Sequence, residues 1–395
     1  MKDLTNLMER VFELKEELIS IRRDIHEHPE LSFKEFRTTE LIVNYLKKLD
    51  IEVERPTPTG AVGLIRGKGE GKTIALRADI DALPIEEETG LPFASKNRGV
   101  MHACGHDAHT AMLLIAAKIL QENRDRLRGN VKLLFQPAEE KAGGAIQLIE
   151  AGALENPFPD AIMGIHVWPY SESGTIGYTR GPAMASSDFF SVKITGKGGH
   201  GAYPHMTIDP VNALIHTVSA LNSLVGRVVN PLDSLVLSVT TIHAGTAGNI
   251  VPEHATFGGT VRALSEDTRA KIEDLVKNIS KKIPESFGAS AEIEYKRTTH
   301  VVVNSPEFVD FVISAMDEAD VFDRREELPP TMGSEDFSFF LEKVPYGAFM
   351  RLGVKNEEMG AVYGLHSPKF VIDENALPYG TALHVAVAFK FLNEG

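Results

Sequence analysis

Apolar positions in the first 185 residues group into short, nearly continuous runs: AVGLIRG at 61–67, KTIALRADID at 72–81, NVKLLFQPAEE at 130–140 and DAIMGIHVWP at 160–169. Runs of this length, rich in aliphatic residues, read as strands covered on both faces. Between the second and third lies AHTAMLLIAAKILQENRDRL at 108–127, whose apolar positions recur with helical spacing. The alternation predicts an α/β fold with an open mixed sheet covered by helices. In such sheets ligands gather beyond the carboxyl ends of the strands. Asp79, Asp81, Glu139, Glu140 and His166 all fall there.

The pattern changes near Ser186. DFFSVKITG at 188–196 alternates like a strand, and Asp209 followed by Pro210 reads as an N-cap and first-turn pair. Val211, Leu214, Ile215, Val218, Leu221 and Val225 then trace one helix face. SLVLSVTTIHAG at 234–245, ATFGGTVRAL at 255–264 and SAEIEYKRT at 290–298 read as strands, with a helix over 266–283 before the last. The order βαββαβ is the ferredoxin-like split motif. After about Thr298 helix and strand alternate again, ending in the helical NALPYGTALHVAVAFKFLNE at 375–394. The expectation is a domain of residues 186–297 inserted into a parent α/β domain formed by 1–185 and 298–395.

A length of 395 residues agrees with two domains, and 43% hydrophobic content supplies ample cores. The net charge of -14 argues against nucleic acid or an anionic membrane as a partner, because phosphate binding draws on clustered Lys and Arg. The N-terminal stretch scatters charges through its helical pattern and has no signal-peptide core. AMLLIAAKIL at 111–120 is broken by Lys118 and falls short of the ~20 residues of a membrane span. The single cysteine, Cys104, forms no internal disulfide. It is a buried thiol, a nucleophile, a metal ligand or an intermolecular link. These features predict a soluble cytoplasmic protein acting on a small molecule or peptide.

Cys104 and His106 flank one residue just before a helix, and thiolate and imidazole both bind borderline metals. Glu139 and Glu140 follow a strand end, where adjacent side chains diverge and can take separate tasks, one binding metal and the other handling protons. The plain alternative is a solvated charge pair. His166 closes the apolar AIMGIH, as a core histidine also would, and His366 sits in the loop-like YGLHSPKF. Cys104, His106, Glu140, His166 and His366 make five candidate ligands, one more than a closed tetrahedral zinc site uses. The surplus favours a two-metal centre.

The motifs RRDIHEHPELSFKEF, RADIDALPI, MHACGHDAH, FQPAEE, GIHVWP, GKGGHGAYPH, NIVPEHATFGGTVR, GSEDFSFF and HSPKF appear in this order from about residue 20 onward. They resemble those of the metallopeptidase family of aminoacylase and carboxypeptidase G, especially its amidohydrolase branch. The resemblance implies a dinuclear zinc-peptidase-like catalytic domain and an inserted lid that mediates homodimerisation. It implies Cys104, His106, Glu140, His166 and His366 as ligands of two divalent ions (zinc, manganese, cobalt or nickel) and Glu139 as general base. Many relatives place a ligand histidine where this chain has Asp79; the amidohydrolase branch makes the same departure and brings in Cys and His of ACGH. Asp81 would then orient a ligand histidine. His200 is implied to reach a partner subunit's active site and steady the oxyanion, and Asn249 with Arg262 to hold a substrate carboxylate. His28, His102 and His109 match no such role.

The reaction so implied is hydrolysis of an N-acyl-L-amino acid to a carboxylic acid and an amino acid. The metals acidify water, and Glu139 moves its proton to the leaving amine. A carboxypeptidase acting on short or N-blocked peptides would use the same residues. Two other classes stay open: a binding protein that keeps the fold without catalysis, and a cysteine hydrolase with Cys104 as nucleophile and His106 as base.

Overall fold

The protein is described here by a computed structural model, covering residues 2–230 and 232–394. Its chain divides into two compact units, one of Met1–Gly181, Val303–Pro329 and Phe339–Gly395, the other of Pro182–Val302 and Pro330–Ser338.

The first unit is built on an eight-stranded mixed sheet. Its spatial order is Glu52–Glu54, Ala61–Arg66, Gly129–Gln136, Lys72–Asp79, Ala161–Glu172, Gly347–Lys355, Ile176–Tyr178 and Arg325–Glu327. The middle strands from Gly129–Gln136 to Gly347–Lys355 run parallel, and Glu52–Glu54 and Ala61–Arg66 form an antiparallel edge. Every residue from Thr73 to Asp79 and from Gly347 to Val354 is buried, so both faces of these strands are covered, as their unbroken apolar runs predict. The helices His106–Glu122 and Leu377–Asn393 are buried nearly all round and pack on each other. The first stops at Glu122, short of the expected 127, where the Asn123 side chain donates to the Ile119 carbonyl at 2.8 Å. No helix among the described residues is long and apolar enough to cross a membrane.

Register brings the chemically loaded positions to one edge. Asp79 pairs with Gln136, and Arg77 with Gly164, so His166 lies level with Asp79. Gly105 precedes the helix His106–Glu122 with φ +82, and a Cβ there would lie 2.3 Å from Val167 Cγ2. Only glycine fits this turn against the neighbouring strand. Glu35, just before the helix Phe36–Lys48, is fully buried. Its Oε1 accepts the Ala138 N–H at 2.8 Å, which ties the start of that helix to the turn after Gln136.

In the second unit the strands Ser187–Thr195, Leu235–Ala244, His254–Ala263 and Ser290–Thr299 and the helices Pro210–Arg227 and Glu266–Ser286 follow one another as βαββαβ. The antiparallel sheet has the order Leu235–Ala244, His254–Ala263, Ser187–Thr195, Ser290–Thr299, the ferredoxin-like arrangement. Asp209 caps its helix by accepting the N–H groups of Val211 and Asn212 at 2.8 and 3.3 Å, as the Asp-Pro pair predicts. A buried ion pair joins the sheet to the second helix. Arg269 Nη2 lies 2.5 Å from Asp188 Oδ1, and Tyr295 donates to Asp188 Oδ2 at 2.8 Å.

Asp188→Ala leaves the Arg269 guanidinium and the Tyr295 hydroxyl short of a partner and should destabilise the protein by about 3 kcal/mol in urea unfolding. Glu52→Ala, which breaks the exposed Arg66 pair, should change it by less than about 1 kcal/mol. Burial pushes the Glu35 carboxyl up to about 7, above its ordinary 4.5. The folded metal-free protein therefore holds a proton that the unfolded chain releases, and stability falls as pH rises through this interval. Glu35→Gln should accordingly be more stable than wild type at pH 8, by up to about 3 kcal/mol, with the gap closing towards pH 4.5.

Candidate metal centre

The turn Cys104–Gly105–His106 faces His166 on the neighbouring strand. Cys104 Sγ lies 3.4 Å from His166 Nε2. Each of the two histidines has its other ring nitrogen occupied: His106 Nδ1 bonds the Asp81 carbonyl at 2.9 Å, and His166 Nδ1 bonds the Val167 carbonyl at 2.7 Å. The carbonyls accept, so both rings carry a proton on Nδ1, and in the neutral ring the lone pair lies on Nε2.

Asp81 organises the acidic half. Its Oδ1 stands 3.2 Å from His106 Nδ1 and accepts the Glu139 N–H at 3.1 Å, while Oδ2 accepts the Glu140 N–H at 3.2 Å and the Ser32 hydroxyl at 2.7 Å. Ala138 before the two glutamates and Ala142 after them have φ of +51 and +50. Left-handed backbone disfavours residues with a Cβ by about 1–2 kcal/mol each, so the turn is held by its surroundings. Glu140 Oε1 lies 3.4 Å from His366 Nε2 and 4.0 Å from His106 Nε2. The His366 N–H donates to the Ala103 carbonyl at 2.8 Å, which anchors its loop beside Cys104. Glu139 offers a carboxylate oxygen within 4.8 Å of donor atoms of His106 and Glu140.

Asp79 faces the same cluster, but both of its oxygens are engaged, by Arg77 Nη1 at 2.6 Å and His109 Nδ1 at 2.5 Å. His109 Nε2 accepts the Val167 N–H at 2.9 Å, so neither of its nitrogens is open to a metal. His102 is buried, and burial pushes it down to about 4, which keeps it neutral. Burial also opposes a charged His106, yet Asp79, Asp81 and Glu140 hold it up to about 10 in the metal-free site. That negative field is what a cation requires.

Whether metal ions suit this cluster is decided by its donors. His106 Nε2 and Glu140 Oε1 are buried without a hydrogen-bond partner, a costly state that coordination relieves. Cys104, His106 and His166 form one set of converging donor atoms, and Cys104, Glu140 and His366 form another, the two sharing the thiol. Two overlapping sets of sulfur, nitrogen and oxygen donors fit a pair of divalent ions such as zinc, manganese, cobalt or nickel.

The remaining expected residues lie in the second unit. His200 and Asn249 are exposed neighbours: Gly199–His200 pairs with Ile250–Val251, and the Gly201 N–H donates to the Asn249 carbonyl at 2.9 Å. His200 Nδ1 accepts the Ala202 N–H at 3.0 Å, which in the neutral ring leaves the proton on Nε2. Arg262 is half-buried and donates to the hydroxyls of Ser334 at 2.7 Å and Thr260 at 3.3 Å. Among the described residues it makes no ion pair, and burial lowers its pKa.

Sequence reasoning passed over two contributors. His109 stands three residues after His106, on one helix face, and a histidine one turn from His106 was the available signal. Glu35 lies in HPELSFKEF, where nothing local shows that its carboxyl reaches a turn about a hundred residues away.

Known proteins similar to this chain include metal-dependent hydrolases. Thermostable carboxypeptidase 1 of Saccharolobus solfataricus is 44% identical over 389 residues, 97% of this chain and 98% of that protein. N-acetyl-L-cysteine deacetylase of Bacillus subtilis is 42% identical over 366 residues, 92% of this chain and 85% of that protein. The crystal structure of Bacillus subtilis YXEP protein, described as a dinuclear metal binding peptidase from M20 family, superposes with a TM-score of 0.85 at 37% identity, covering 96% of this chain and 98% of that one. The model of peptidase family M20/M25/M40 matches residues 75–390. A cluster of converging donor atoms suited to two metal ions thus sits in a chain that belongs to peptidase family M20/M25/M40, as a metal-dependent hydrolase of amide bonds.

Proposed function

We propose that the protein hydrolyses the amide bond of N-acyl-L-amino acids, with Cys104, His106, Glu140, His166 and His366 holding two divalent ions and Glu139 as general base. The observation that carries this reading is the convergence of the unpartnered His106 Nε2 and Glu140 Oε1 beside a second carboxylate, Glu139. When bound, the metal pair supplies Lewis acidity, polarising the scissile carbonyl and lowering the pKa of water.

Glu139 takes a proton from the attacking water as the new C–O bond forms, then delivers it to the amine as the C–N bond breaks. Asp81 keeps Glu139 and Glu140 in place through their backbone N–H groups and fixes His106 through Nδ1. Arg262 and Asn249 take the free carboxylate of the substrate. An arginine without an ion pair, bonded only to neutral hydroxyls, keeps its charge available for an anion. His200, with its proton on Nε2, donates to the oxyanion in the active site of a partner subunit, and the second unit serves as lid and dimer contact. A second reading, cleavage of short or N-blocked peptides from the carboxyl end, is favoured by the name of the carboxypeptidase relative.

Stripping the metals, restoring candidate ions singly and assaying N-acetyl, N-benzoyl and peptidyl amino acids should return activity with an ion of the zinc, manganese, cobalt or nickel group, greatest on an N-acyl amino acid. Best turnover of peptides would instead select the carboxypeptidase reading. Glu139→Gln should lower kcat by at least ~100-fold at unchanged metal content; near-normal kcat removes it as the base. Mixing inactive His200→Ala with inactive Glu139→Gln should regenerate active heterodimers, and no recovery rules out action across subunits.

A further inference from the structure

We propose that Glu35 is a positioning residue for Glu139, holding the turn that aims the base. The proposal rests on the assignment of Glu139 made above. It is carried by the backbone of residues 138–140. Three consecutive N–H groups in this turn end on carboxylates: Ala138 on Glu35 Oε1 at 2.8 Å, Glu139 on Asp81 Oδ1 at 3.1 Å, and Glu140 on Asp81 Oδ2 at 3.2 Å. Successive N–H groups in a left-handed and right-handed turn form a concave nest for acceptor oxygens, and here the side-chain oxygens of two buried acids fill it.

The two acids divide the work. Asp81 also contacts His106, so it couples the glutamates to a metal ligand. Glu35 bonds only Ala138 within the turn, and Ala138 is the residue whose φ of +51 departs from what an alanine prefers. Without an acceptor there, no other bond holds the Ala138 N–H, and only the long bonds that its carbonyl accepts from the Gly143 and Gly144 N–H groups, at 3.5 and 3.3 Å, oppose relaxation towards ordinary backbone. Glu139 follows immediately, so relaxation swings the base.

Glu35 is itself firmly set. Its carbonyl accepts the Thr39 hydroxyl at 2.6 Å, the Thr39 oxygen accepts the Gly60 N–H at 2.8 Å, and a Cβ on Gly60 would lie 2.6 Å from Pro137 Cδ. The chain from Glu35 through Thr39 and Gly60 thus closes against the residue before Ala138. Among the described hydrogen bonds, that of the Glu35 carboxyl goes to Ala138 and not to a proposed metal ligand, which separates its role from theirs.

The test compares Glu35→Met, which keeps the length without an acceptor, with Glu35→Gln, which keeps the acceptor. Glu35→Met should lower kcat by ~10- to 100-fold with KM within about twofold and two metal ions still bound. Hydrogen exchange in the peptide over 136–143 should quicken. Glu35→Gln should stay within about threefold of wild type in kcat and keep wild-type exchange. Adding Ala138→Gly to Glu35→Met should recover kcat by threefold or more, because glycine adopts the left-handed turn without an anchor. Equal kcat and exchange in the Met and Gln variants overturn the proposal. So does loss of metal in Glu35→Met, or failure of both it and the double variant to fold, since Glu35 would then serve the fold at large. Active Glu139→Gln removes the base assignment and this proposal with it. Inactive Glu139→Gln beside wild-type kcat in Glu35→Met removes only the latter.

Discussion

The carboxylate of Asp81 gathers contacts from three distant stretches of chain: the Ser32 hydroxyl, the backbone of Glu139 and Glu140, and the ring of His106. Burial alone opposes its charge, but His106 and Ser32 more than offset this and hold its pKa below the ordinary value. A buried carboxylate persists only when hydrogen bonds replace water, and each of these bonds also locates a functional group. The same satisfied charge therefore stabilises the ionised acid and sets the spacing between His106 and the glutamate pair. Asp79, one residue before the intervening Ile80, repeats the device in the layer behind, with Arg77 and His109 as its partners.

The second unit uses buried charge for a different end. Asp188, near the start of its first strand, meets Arg269 on its second helix, and Glu266 on that helix accepts the Val301 N–H at 3.2 Å, near the end of its last strand. Entry and exit of the chain are thereby fastened to one helix end. The sheet proper is held by alternating burial, with Phe190, Val192 and Ile194 inward and Phe189, Ser191 and Lys193 outward.

What could be read from the sequence follows from how local each signal is. Strands buried on both faces declare themselves as unbroken apolar runs, and the Asp209–Pro210 cap and the alternating strands of the second unit depend only on neighbours. Those elements were legible to within a few residues. That Cys104, His106, Glu140, His166 and His366 would converge was legible because Cys, His and Glu at strand ends have few other reasons to cluster, and the family resemblance ordered them. Glu35 and the Asp79–His109 pair were not. Their partners are a backbone N–H and a side chain far along the chain, and neither residue type nor period encodes such a bond. The histidines of MHACGHDAH show the limit well. Spacing alone cannot distinguish His106, with a free Nε2, from His109, whose two nitrogens are both taken.

The peptide around Val167 carries an instruction that no side chain spells out. Its carbonyl takes the His166 Nδ1 proton and its N–H fills the His109 Nε2 lone pair, so one residue of main chain dictates opposite uses of Nε2 in two adjacent imidazoles. Such dictation is genetically silent: any amino acid other than proline at 167 delivers it. The side chain there faces a separate constraint, the bare Cα of Gly105. Drift at 167 can loosen or tighten the packing against the Cys104–His106 turn, but it leaves the protonation pattern of the centre untouched.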